Sequence, residues 1–67
     1  MKAVIKICNI ESNNDIKIIQ EIVANNFGVI ASEISLIKKE ITLIYNETFL
    51  NIEKIINSIE DLGYIVM

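Results

Sequence analysis

"NIEKIINSIEDLGYIV", residues Asn51–Val66, changes periodicity partway along its length. Ile52, Ile55, Ile56 and Ile59 recur at i, i+3, i+4 and i+7, the spacing that puts one apolar stripe on a helix. Thr48 and Asn51 stand ahead of it as caps, because a short polar side chain can accept a hydrogen bond from a free N–H of the first turn. Gly63 ends the helix, and Tyr64–Met67 read as a short last strand. A helix that passes into a strand without a linker is the second part of a βαβ unit, so the fold depends on what precedes it.

The preceding stretch, "EISLIKKEITLIYN", residues 33–46, is two alternating runs about a "KKE" turn. A strand over about Ala31–Ile37 places Ser32, Ile34 and Leu36 on one face, and Ile41, Leu43 and Tyr45 alternate in the next. The turn lacks glycine, but runs this close together predict a hairpin. Upstream, Lys2–Ile10 alternates, with Ala3, Ile5 and Ile7 on one side and Val4, Lys6 and Cys8 on the other. From Ile16 the period lengthens: Ile16, Ile19, Ile22 and Val23 predict an amphipathic helix that Asn25, Asn26 and Gly28 end. Ser12, Asn13 or Asn14 can cap it, with Asp15 at its positive end. The order is βαββαβ. Its packing is the α+β, ferredoxin-like sandwich, a four-stranded antiparallel sheet with two helices on one face, covering Ile5, Ile34 and Leu43. Residues 1–67 are expected to form one domain.

Composition narrows the function classes. A chain of 67 residues buries only about 60% of its unfolded surface, so its core must be dense. Isoleucine supplies much of the 52% hydrophobic content, although Ile, Asn and Lys recur so often that any one of them carries less weight than usual. One cysteine excludes an internal disulfide framework and fits a reducing compartment; the expected location is cytoplasmic. The net charge is −3 and Lys38-Lys39 is the only adjacent basic pair, which argues against nucleic acid as a partner. No run approaches the roughly 20 apolar residues of a membrane span, and the N-terminus does not read as a signal peptide. With no histidine, no nucleophile–base pair and no glycine-rich phosphate loop, an enzyme is not expected.

In this register the chain resembles the heavy-metal-associated (HMA) domain family of small copper chaperones and the N-terminal arms of heavy-metal-pumping ATPases. The resemblance runs without gaps over nearly the full length. It rests on "FGV" after the first helix, on the hairpin, and on Ile55, Ile56, Ile59, Glu60, Asp61, Gly63, Tyr64 and Val66 at the end. It implies a metal loop, Gly-Met-x-Cys-x-x-Cys, at Asn9–Asp15, where this chain reads "NIESNND". Ser12 and Asp15 occupy the two cysteine positions. Two thiolates suit the soft Cu(I) ion, whereas a hydroxyl is a poor ligand for it and a carboxylate prefers hard cations. The resemblance therefore implies a degenerate binding or regulatory module that carries no Cu(I) and needs no cofactor.

The alternative is a metal-handling protein with a non-standard site. Its ligands would be the loop oxygens of Glu11, Ser12, Asn14 and Asp15, or Cys8 thiols paired between two chains. Two carboxylates are few for Ca²⁺ or Mg²⁺, and the plain reading of "ESNND" is a helix cap. Tyr64, which in bacterial members stands beside the metal loop, is expected to pack on the first helix or to serve in an interaction. The outward strand positions Val4, Ile44 and Ile65, with the turn residue Ile37, make an apolar patch that suits a protein partner or self-association.

Overall fold

A computed structural model describes residues 1–67. It contains β1 (Lys2–Lys6), α1 (Asn13–Ala24), β2 (Val29–Ser35), β3 (Glu40–Tyr45) and α2 (Ile52–Glu60), with β3 central in an antiparallel sheet of order β1-β3-β2. Lys2, Val4 and Lys6 of β1 lie opposite Ile44, Thr42 and Glu40 of β3. On the other side of β3 the same three residues face Ala31, Glu33 and Ser35 of β2. One face of the sheet therefore holds Ile5, Ile41 and Leu43, which are buried beneath the helices.

The sheet has three strands rather than the four expected. The final segment touches β1 through one antiparallel bridge, Ile7 to Val66. The Cys8 N–H donates to the Ile65 carbonyl (3.0 Å) and the Met67 N–H to the Lys6 carbonyl (2.9 Å). Beyond that point a side chain replaces the backbone ladder. Asn9 Oδ1 accepts from the Ile65 N–H at 2.8 Å and its Nδ2 donates to the Gly63 carbonyl at 3.3 Å. The first strand is likewise shorter than Lys2–Ile10, because the chain turns at Cys8–Asn9 and sends Ile10 into the core with no exposed surface.

The second strand starts and stops two residues earlier than Ala31–Ile37. Ser35 Oγ accepts from the Lys38 N–H at 3.2 Å, and Lys39 adopts the left-handed conformation (φ 54°) that glycine usually supplies. Leu36 and Ile37 are thereby drawn into the turn, and Ile37 is left 96% exposed. At the strand's start, Gly28 has φ 103°, and a Cβ there would lie 2.9 Å from Leu50 Cβ. Only glycine lets the loop after β3 close over this point and bury Leu50.

Eleven residues form the core: seven isoleucines with Val23, Leu43, Tyr45 and Leu50, and no buried polar group among them. α1 contributes Ile19 and Val23, and α2 contributes Ile55 and Ile59. Each such side chain contributes about 1.5–3 kcal/mol on burial. Both helices begin as expected, α1 capped by Ser12 and α2 by Asn51, whose Oδ1 accepts from the Glu53 N–H at 2.9 Å.

Ile59→Ala should cost about 2–5 kcal/mol. A domain of this size has roughly 3–10 kcal/mol in total, so urea titration should show most of the stability gone. Lys39→Gly, by contrast, should stabilise the fold by up to about 1 kcal/mol and so raise the urea midpoint, because it relieves the left-handed strain.

Candidate functional site

The loop between β1 and α1 is closed by one carboxylate. Asp15 is the third residue of α1, and with Ser12 it forms a capping box: Ser12 Oγ accepts from the Asp15 N–H (3.4 Å) while Asp15 Oδ2 accepts from the Ser12 N–H (3.2 Å). The same Oδ2 accepts the Glu11 N–H at 2.9 Å and lies 3.4 Å from the Ser12 hydroxyl. The other oxygen, Oδ1, accepts the Tyr64 hydroxyl at 2.6 Å. Two segments 49 residues apart in sequence thus meet on one side chain.

Titration follows from this geometry. The Tyr64 phenol and the Glu11 N–H hold the Asp15 carboxyl below the usual carboxylate range; burial opposes them, and the Ser12 donors add to them by less. Burial, then the hydrogen bond to Asp15 and its negative charge, push the Tyr64 hydroxyl up to about 12. Charged Asp15 and neutral Tyr64 are the states that hold the loop shut.

The residues predicted for a site are not brought together as a metal centre. No group of three or more His, Cys, Asp or Glu is placed to hold a metal ion. Ser12 and Asp15 meet through their cap, while the Glu11 and Asn14 side chains are exposed. Cys8 is exposed in the turn just beyond β1, in a hollow of about 280 Å³ shared with Lys6, Lys38, Lys39, Ile37 and Met67, and its carbonyl accepts from Lys39 Nζ at 3.4 Å. Of the four interaction candidates, Val4 (53%), Ile44 (37%) and Ile65 (57%) are exposed as expected, whereas Tyr64 is half-buried against Asp15.

Two features escaped the sequence reading. Asn9 holds the C-terminal segment, and the clue was a carboxamide placed where the alternating pattern breaks. Phe27 and Phe49, the only phenylalanines, are both exposed and stack at 5.1 Å between centroids in tilted geometry (59°) at the end of the sheet opposite the loop. Aromatic character alone does not separate such a pair from core residues.

Solved structures share this fold. The CopZ metallochaperone superposes with a TM-score of 0.96 at 16% identity, covering 100% of both chains. The CsoZ metallochaperone gives 0.91 at 25% identity over 100% of this chain and 96% of its own. A copper binding domain from HMA7, a P-type ATPase, gives 0.91 at 17% identity over 98% of this chain and 89% of its own. No family model matches the sequence, and no curated protein matches it. These neighbours are thus two metallochaperones and a copper binding domain of a P-type ATPase, and at these identities the likeness is one of fold. No helix is long and apolar enough to cross a membrane.

Stability should be pH-dependent at both extremes. Asp15, with its lowered pKa, contributes above the unfolded carboxyl's value of about 3.9, and that contribution is lost as pH falls through the lower folded value. Tyr64, with its raised pKa, contributes fully below about pH 10, and this is lost as pH rises toward its folded value. In thermal melts across pH, Tyr64→Phe should lower the melting temperature at neutral pH and remove part of the alkaline fall. In a carboxyl NMR titration the same variant should move Asp15 back toward ordinary carboxylates.

Proposed function

We propose that this chain is a metallochaperone-fold module that does not carry Cu(I) and acts instead by binding a protein partner. One observation carries the reading: at the position the family resemblance assigns to a thiolate, the Asp15 carboxylate is already taken up by Glu11, Ser12 and Tyr64 donors. A cation would have to displace those bonds and would gain one hard oxygen in return. Hard cations want six or more oxygens, and Cu(I) wants sulfur. The exposed Val4, Ile44 and Ile65 supply apolar surface for a partner. On this reading the chain is neither an enzyme nor dependent on a cofactor, and residues 1–67 act as one unit.

Cu(I) titration of the reduced chain against a competing chelator tests this. The chelator should keep the metal, and Cys8→Ser should change nothing. Ser12→Cys/Asp15→Cys should withdraw one equivalent, because Ser12 Oγ and Asp15 Oδ2 already lie 3.4 Å apart at a helix N-terminus, which favours thiolates. Tight stoichiometric binding by the unaltered chain that survives Cys8→Ser would overturn the reading.

A further inference from the structure

The open face of the sheet carries opposite charge on its two sides. Cross-strand register puts Lys2, Ile44 and Ala31 in one row, and Val4, Thr42 and Glu33 in the next. Lys2 and Lys6 are thus exposed along β1, and Glu33 is exposed on β2. Between them lie Val4 and Ile44, 53% and 37% exposed. A hollow of about 300 Å³ opens over β2 and β3, lined by Ala31, Glu33, Thr42 and Ile44 and flanked by Lys2.

We propose that this face binds a second copy of the chain about a two-fold axis running along β3. The proposal rests on the reading above that the chain works by binding a protein, and it names the partner. Rotation about that axis lays β1 of each copy over β2 of the other, with the sheets about 10 Å apart. Val4 enters the other copy's hollow, Ile44 meets its own mate, and Glu33 sits between Lys2 and Lys6 of the facing copy. Symmetry repeats each contact. Glu40 also meets its mate, but Lys6 lies opposite it on the same sheet and the facing Lys6 flanks it on the other. An axis across the strands would set Lys2 against Lys6, so charge selects the first arrangement. The apolar centre is small beside the roughly 800 Å² per partner of a stable complex, so the dimer is weak and exchanges rapidly. Its charged rim makes it salt-sensitive.

Sedimentation of the metal-free chain, with chelator present, tests the proposal. At roughly 1 mM protein and low salt the chain should be partly dimeric, and high salt should weaken the association several-fold. Glu33→Lys alone and Lys2→Glu/Lys6→Gln alone should each sediment as monomers, with unchanged circular dichroism. Their equimolar mixture should dimerise, because both contacts then pair opposite charges. A strictly monomeric parent chain would overturn the proposal. So would a mixture that stays monomeric, or a variant that associates alone as the parent does, which would place the contact elsewhere, for example at Phe27 and Phe49. The chelator separates the two ideas: tight Cu(I) binding would defeat the proposed function without altering this result.

Discussion

The Asp15 carboxylate is the point at which the ends of this small domain are joined. Its Oδ2 gathers the N–H groups of Glu11 and Ser12 at the mouth of α1, and its Oδ1 takes the hydroxyl of Tyr64 from the last segment. A carboxylate can do this because it offers about four acceptor sites and carries the charge that a helix N-terminus favours. Without it, the exposed Glu11 and Ser12 donors would turn to water, and the final segment would keep only its bridge at Val66 and the Asn9 side chain. The rest of the loop follows from this closure. Ile10 is carried into the core, and the chain turns away from β1 before a longer ladder with the last segment can form.

Below that junction, stability is a matter of isoleucine. Seven of the eleven core residues are isoleucine, and none is polar. β-Branched side chains are stiff and fit the pleated face of a strand, which lets a sheet of three short strands present a dense surface to two short helices. Their intrinsic helix propensity is unremarkable, so α1 and α2 depend on caps and on the apolar stripe. Ser12 and Asn51 supply the caps, and Ile19, Val23, Ile55 and Ile59 the stripe.

Those periodic features are what the amino-acid order made legible. The stripes at Ile16–Val23 and Ile52–Ile59, the alternation in β1 and β3, and both caps stand in the structure where spacing places them. The misses have two causes: contacts between residues far apart in sequence, and a local turn that forms without its usual glycine. An apolar tail predicts the fourth strand, but Asn9 meets that tail with a side chain instead of a longer backbone ladder, over a separation of 56 residues. Alternation alone carries the second strand as far as Ile37, whereas Ser35 and a left-handed Lys39 make that residue part of the turn. At the site, the resemblance places Ser12 and Asp15 at thiolate positions, and the residues offer Ser12, Asn13 or Asn14 as the cap with Asp15 at the helix's positive end. The bond from Tyr64 that makes Asp15 a structural tie could not be seen from either residue alone.

That bond bears on why serine and aspartate, in that order, stand at the two positions. A pair of thiolates draws a loop together through the metal that they share, and sulfur is a weak hydrogen-bond acceptor. If the sulfurs are replaced by inert residues, the loop loses its cross-link and gains nothing. On the proposed reading, Ser-x-x-Asp stands in for that cross-link, because Ser-x-x-acid at the start of a helix is a reciprocal cap. It closes the same turn with hydrogen bonds, and the second carboxylate oxygen remains free for Tyr64. On that reading, Ser-x-x-Asp offers no soft-metal ligand and still holds the loop closed. On the proposed reading, that combination suits a module whose surface, not a metal, does the work.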